Sequence, residues 1–526
     1  MTAQAQTAEP KPAQAVAADQ PLDEVLVTGS RIIVNGNDAP TPVTVIAADE
    51  VLATKPTNLY ENLSDMPVFS GSRGASNGPV TSSPNAAGGV QPNGAVSSLN
   101  LRNMGPLRTL VLFDGHRVPP VSPDGLVDPS SLPQMLIQRV DVVTGGVSAV
   151  YGSDAITGVV NFVTDSGFNG MKVQMQGGTS EEGDADSYQA GIAAGTDLFG
   201  GRGHIIGSFQ RTDSDALYDY ERDWTKPRWT VQGNGLPQSN PASVPWHLVP
   251  YATNATATFG GSIACANGSV NPANCPGTPN VGLTFKQNGV LSAFDPGTRT
   301  GLTQTTVQNG GDGAYFLNVA LRSAQTTDQF FTRFDYDLTD NVHAYVAGAL
   351  NSSEVEGNTG TQRTFVPGVL IGACNAFLNP AYQAQLGCTA ANAGTAAEPT
   401  FRFEKQFDPL ANHGMGQNNK LKSKNYYALA ALDGEFGDGY RWEASYTHSE
   451  AELEVKALNQ NRQQVYAALD AVVGPSGQIV CRITLTNPTV LPGCIPMNLF
   501  GPTAMTRDMA YYFVDTIKTT TNNTLD

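Results

Sequence analysis

Six cysteines, a run of carboxylates laced with aromatics, and a histidine beside an Asp-Gly step are the residues of this chain whose types and spacing could do chemistry. The cysteines fall into three local pairs, Cys265 with Cys275, Cys374 with Cys388 and Cys481 with Cys494. None makes a C-x-x-C motif, and none has histidine nearby at zinc-ligand spacing. An even number at short separations, inside Gly/Pro/Asn-rich stretches, reads as local disulfides formed in an oxidising compartment; free thiols in loops are the alternative. Asp213, Asp215, Asp219, Glu221 and Asp223 interleave with Tyr218, Tyr220 and Trp224. Such a loop suits a sugar, a cation or a metal chelate, although an acidic, aromatic surface loop has the same composition. Glu181, Glu182, Asp184 and Asp186 lack the D-x-D-x-D-G spacing of a calcium loop and read as a solvated turn. His116 follows Asp114-Gly115, so a Ser/His/Asp triad is arithmetically possible, but no G-x-S-x-G elbow is present and a turn residue accounts for it. Gly201 to Gly207 nearly imitates a dinucleotide loop, with its third glycine one place late. No catalytic residue, metal site or cofactor follows from these patterns.

The elements that would carry these residues are mostly strands and turns. Glycine contributes 55 of 526 residues and charged residues only 15%, against about 25% charged in soluble domains. The net charge of −17 would repel the phosphates of nucleic acid. No run of about 20 apolar residues forms a transmembrane helix. A transmembrane barrel stays open, because its strands alternate and average out in a hydropathy window.

The organising stretch is Arg139 to Thr164, RVDVVTGGVSAVYGSDAITGVVNFVT. Val140 and Val142 alternate with Arg139 and Asp141 as in a half-buried strand. Gly145 and Gly146 break it, Val147 to Tyr151 fit one helical turn, and Gly152 and Gly158 permit backbone angles closed to other residues. Gly158 to Val163, with Asn161, starts a second, buried strand. This stretch resembles the end of the plug domain of TonB-dependent outer-membrane receptors. Three upstream motifs resemble the same domain in the same order. They are Leu99 to Met104, read as a strand with Arg102 facing a barrel wall; the hairpin Arg108–Phe113, Asp114-Gly115, His116–Val118; and Ser131 to Ile137, read as a short helix. Helices are expected at 49–53 and at 58–63, and residues 70–98 form a long loop.

The resemblance implies a small α+β plug domain over residues 40–165, followed over 168–526 by antiparallel transmembrane β-barrel strands. Residues 1–21, rich in Ala, Gln and Pro, are expected to be disordered. Residues 22–29, with Asp23, Glu24, Val25, Leu26, Val27, Thr28 and Gly29, resemble the TonB box, which adds a strand to a partner sheet. From Phe168 onward, alternating segments are joined in turn by short turns and by long loops at roughly 213–326, 352–420 and 455–505, which hold all three cysteine pairs. Seven to nine strands are countable, against about 22 in the family, so the barrel is expected to be incomplete in this chain, with no aromatic terminal strand over 519–526. No signal peptide is visible, and an export signal is expected to have been removed.

By resemblance the protein sits in the cell outer membrane, is not an enzyme and uses no cofactor. Its partners would be the inner-membrane TonB energy-transducing complex, outer-membrane lipid and a small nutrient ligand: an iron chelate, cobalamin, haem or an oligosaccharide. The implied function is TonB-dependent import of a scarce nutrient. A non-transporting outer-membrane surface binding protein is the alternative.

Overall fold

Two apolar runs, Thr109–Phe113 and Gly158–Thr164, lie side by side as the parallel centre of the first domain. Parallel neighbours are covered on both faces and therefore lose the polar alternation of an edge strand. The structure, a computed structural model, describes residues 42–526 apart from 55–58, 75–95, 122–124, 146, 234–238, 241–242, 244, 255, 269, 271–274, 299–306, 316–319, 359–363, 408–417 and 438–439. The box-like segment 22–29 and Gly146 lie outside the described residues, as does most of the loop 70–98.

The first domain is a five-stranded sheet. In chain order its strands are β1 (Val43–Ala47), β2 (Thr109–Phe113), β3 (His116–Arg117), β4 (Ile137–Val143) and β5 (Gly158–Thr164). They lie in the order β1-β4-β5-β2-β3. Helices α1 (Ala48–Thr54) and α2 (Leu59–Ser64) bury Leu59 and Leu63 against one face, where Val111, Phe113, Val160 and Phe162 point. Leu110, Leu112, Val143 and Val159 form the core of the other face with Val147 and Ala155.

Two expected elements differ. Leu99 to Met104 is not a strand: Leu101–Asn103 is a 3₁₀ turn with Arg102 at φ 57° and Asn103 at φ 55°. The Asn100 carboxamide accepts from Gly105 N, which closes this stretch on itself. Arg102 is therefore an exposed turn residue rather than a strand residue facing a wall. The expected helix at 131–137 is two 3₁₀ turns, Pro129–Ser131 and Gln134–Leu136, because Pro133 interrupts it before β4 begins at Ile137.

Eight long strands follow as an up-and-down antiparallel sheet, the wall. They are β6 (Gly170–Gly178), β7 (Ser187–Leu198), β8 (Gly203–Ser214), β9 (Ala324–Thr339), β10 (Val342–Asn358), β11 (Asn418–Phe436), β12 (Tyr440–Gln460) and β13 (Val514–Leu525). Their sheet order is their chain order, and β6 and β13 do not pair with each other, so among the described residues the sheet stays open. The strand β13 has no aromatic residue near its end.

The wall reverses the pattern of a soluble sheet. Its outer face carries a row of exposed apolar residues in register, Ile192, Phe209, Phe330, Leu350 and Tyr426. Its inner face buries Gln210, Gln329, Asn351 and Asn425 in the neighbouring register. The outward positions of β9 from Phe330 to Leu338 are Phe, Thr, Phe, Tyr and Leu, a stretch close to the ~9–11 residues a strand needs to cross a bilayer. Beyond that belt the outer face turns ionic, with Arg211 donating to Asp328 (3.0 Å) and Lys424 to Glu452 (3.3 Å).

The long connections at one end of the wall fold into one packed body, the cap, rather than separate loops. Strands Ser262–Ala264, Leu283–Phe285, Leu291–Ala293, Thr364–Gly372 and Thr400–Gln406 make a five-stranded sheet. Phe285, Phe403 and Phe500, from three different connections, meet with ring centroids 4.8–5.9 Å apart. Ile263, Leu469, Leu499 and Phe513 complete this second core.

Candidate functional site

The first domain docks against the inner face of the wall, and a polar network closes that contact. Asp114 heads the β2–β3 turn at φ 48° with Gly115 at φ 82°, the left-handed pair that a two-residue hairpin turn requires. Its carboxylate accepts from Thr164 N and Thr164 Oγ1, both at 2.8 Å, which ties the turn to the end of β5. Asn161 Oδ1 accepts from Gly115 N at 2.9 Å, so the second turn residue is anchored to the same strand.

Opposite this turn the wall presents ionisable side chains at inward positions. Arg333 places Nη1 3.6 Å from Asp114 Oδ2 while donating to Asp335 through Nε and Nη2. Its guanidinium lies over the Tyr345 ring, 4.1 Å from the centroid. His116 Nε2 is 3.2 Å from the Tyr345 hydroxyl and 3.5 Å from Glu443. His343 bridges Asp335 (3.3 Å) and Asp433 (2.8 Å). Burial pushes the Asp114 carboxyl up, and Arg333 with the Thr164 bonds opposes it. Burial likewise pulls the His116 imidazole down against the carboxylates of Glu443 and Asp114. His116 thus faces a tyrosine and a carboxylate. Among the described residues, no group of three or more His, Cys, Asp or Glu could hold a metal ion.

Two further contacts flank the network. Gln329 donates from Nε2 to Ser130 O (2.7 Å) and Leu132 O (2.8 Å). Beside them Asp128, pushed up to about 6 by burial, accepts from Ser130. Phe113 packs edge-on against Phe331 and Tyr427, 5.6 and 5.7 Å between centroids. One face of the domain therefore meets the wall through an ionic, an amide and an aromatic contact. Side chains in such contacts can part and re-form without covalent chemistry.

Residues 35–159 match the family described as TonB-dependent Receptor Plug Domain. Over this segment the chain is similar to a TonB-dependent receptor plug domain. Among solved structures the chain is similar to the ferric enterobactin receptor of Pseudomonas aeruginosa, at 12% identity over 80% of this chain and 42% of that one, with a TM-score of 0.37. It is similar to the siderophore receptor PiuA of Acinetobacter baumannii, at 13% identity over 93% of this chain and 54% of that one, with a TM-score of 0.35. It is also similar to the ferric-catecholate import receptor Fiu of E. coli, at 12% identity over 81% and 48%, with a TM-score of 0.32. The chain spans about half the length of these structures.

Within the plug, the sequence-derived residues divide into three roles. Asp114, Gly115 and Asn161 build the turn that faces the wall. Gly158 is a close-approach position: at φ 141°, a Cβ there would lie 2.1 Å from Val143 O and 2.6 Å from Leu101 Cδ2. Arg139, Gly145, Tyr151 and Gly152 lie away from the network. Arg139 Nε donates to the buried Asp141 at 3.1 Å. Gly145 and Gly152 adopt φ 148° and 90° around the single helical turn Ser148–Tyr151. The Tyr151 carbonyl accepts from Arg117, which also pairs with Asp154 at 2.6 Å.

The remaining sequence candidates lie at the cap end. Cys265–Cys275, Cys374–Cys388 and Cys481–Cys494 are bonded, with Cα separations of 6.0, 5.1 and 6.1 Å. Tyr218 pairs in a short ladder with Ala320, and Trp224 is exposed. Asp184 is taken by Arg222 through Oδ1 and Oδ2, both at 2.6 Å, which holds its carboxyl well below the usual range. The wall partners Gln329, Arg333, Asp335 and Glu443 were not singled out in the sequence. For Arg333 and Asp335 the signal was present in RFDYD, residues 333–337, where charges alternate with aromatics at strand period.

Proposed function

We propose that the chain supplies the plug and the leading wall strands of a TonB-dependent transporter of the outer membrane, importing a scarce nutrient under the control of its ligand. The observation that carries this reading is the plug held against the polar inner face of a wall whose outer face is apolar, with Arg333 and Gln329 bridging the two. An apolar outside and a polar inside suit a sheet with lipid on one side and a wet lumen on the other. The short turns then face the periplasm and the cap faces the medium. Ligand bound at the cap side would favour a state in which residues 22–29 reach the inner-membrane TonB complex and pair with it as an added strand. Force on that strand would part the non-covalent plug–wall contacts.

Deletion of Glu24 to Gly29 in the native host tests the reading. Ligand binding to cells should persist while uptake is lost. Unchanged uptake overturns it. Retained binding in a wild-type protein that never accumulates ligand inside the cell would instead favour the non-transporting surface binding protein.

A further inference from the structure

A cleft of about 450 Å³ opens in the cap between three segments. They are the turn Gln287–Gly289, the helix Pro380–Gln385 with its N-cap Asn379, and the strip from Asn498 to Ala504. Its polar lining is Asn288, Asn379, Asn498, Tyr382 and Thr503, and Phe377 adds an aromatic wall. No lining residue is charged.

The carboxamides are pre-set. Asn379 Oδ1 accepts from Ala381 N at 2.9 Å, and Asn498 Oδ1 accepts from Phe500 N at 3.1 Å. Each side chain has spent its acceptor on the backbone, so its orientation is fixed and its Nδ2 donors are the end without a partner among the described residues. The frame is stiff as well. Cys374–Cys388 brackets Phe377, Asn379 and Tyr382, and Cys481–Cys494 closes just before Asn498. Gly501 at φ 122° lets its strip approach Gly289, whose N would lie 3.2 Å from a Cβ there. Lys405 is buried beneath, donating to Leu499 O (3.1 Å), Gly501 O (2.7 Å) and Phe259 O (2.7 Å).

These features choose a ligand chemistry. An anionic iron chelate needs cations, but the lining offers none, Lys405 beneath it is committed to three carbonyls, and Lys286 is committed to Asp312. Fixed amide donors beside aromatic rings instead match a ligand with many neutral hydroxyl groups and apolar C–H faces. We propose that this cleft binds a neutral oligosaccharide. The inference rests on the transport reading only for what happens to the sugar afterwards; binding itself does not need it.

Calorimetry on the purified chain in detergent, against neutral gluco-, xylo-, manno- and galacto-oligosaccharides of two to six units, tests this. Ferric citrate and a ferric catecholate serve as anionic probes. Asn379→Asp and Asn498→Asp keep the acceptor and the backbone cap but remove the donors. At least one neutral glycan should bind, and each variant should weaken it about tenfold, the scale of one lost hydrogen bond, with an unchanged melting temperature. The proposal is overturned if no neutral glycan binds, if both variants bind as tightly as the parent, or if only the anionic chelates bind. The box deletion leaves this assay untouched, so import can fail while the sugar site stands, and the reverse.

Discussion

Arg333 of the wall stands 3.6 Å from Asp114 of the plug, and both side chains are nearly buried, at 12% and 11% exposure. This ionic contact involves the plug's hairpin turn itself, and it joins parts of the chain separated by more than two hundred residues. Removing one member of a buried pair costs more than the pair contributes, because the other charge is stranded.

Arg333→Met should therefore destabilise plug docking by about 3–5 kcal/mol, read as a lower melting temperature and faster proteolysis of the plug. Asp114→Asn in the same background should recover part of the loss. A double-mutant cycle with no coupling between the two positions would show that the contact does not hold the plug.

Gly158→Ala should be far more damaging than Gly115→Ala. Both have positive φ, but a Cβ at Gly158 meets Val143 O at 2.1 Å, whereas at Gly115 it meets nothing within 4 Å. Strain alone costs about 1–3 kcal/mol, and the collision with the β4 backbone adds to it. Thermal unfolding of the two variants side by side measures the difference, and equal losses would contradict the geometry.

Opening the Cys374–Cys388 bridge by replacing both residues with serine should loosen the cap and leave the plug intact. A closure of this length contributes about 2–4 kcal/mol. Hydrogen exchange should accelerate for amides of the cap sheet and of Pro380–Gln385, with plug amides β2 and β5 unchanged. Acceleration spread evenly over cap and plug would refute the cap as a separately packed body.

Glu404 makes cap stability depend on pH. The residue is wholly buried, neither carboxyl oxygen has a hydrogen-bond partner among the described residues, and burial pushes its pKa from 4.5 up to about 8. Below the unfolded value both states hold the proton. Between that value and about 8 the unfolded chain has released it while the folded chain retains it, so stability falls as pH rises through this window. Lys405, pulled down to about 7 by burial, acts in the opposite direction only from there upward. Melting temperatures from pH 5 to 7 should fall for the parent protein and fall less for Glu404→Gln. Parallel curves would exclude Glu404 as the source.

The plug was legible from the chain because its information is local. Asp114-Gly115 between apolar runs declares a hairpin, and GVVNFVT declares a strand buried on both faces. The wall was legible as alternation, although RFDYD and VHAYVAG could not say which face was lipid-like until the register of Phe330 with Phe209 and Leu350 aligned the apolar sides. Arg102 and the segment 131–137 went astray where Asn100 and Pro133 closed turns that outweighed the apolar pattern.

What the sequence by itself determined was the plug motif, the turn glycines and the alternating strands, each set by residues within a few positions of one another. Only the tertiary structure decided that Arg333 meets Asp114, and that Phe285, Phe403 and Phe500 share one core beneath a neutral cleft. Those contacts join segments that are loops when taken alone. Their apolar residues are too sparse to show a period, and their burial is created by partners a hundred or more residues away.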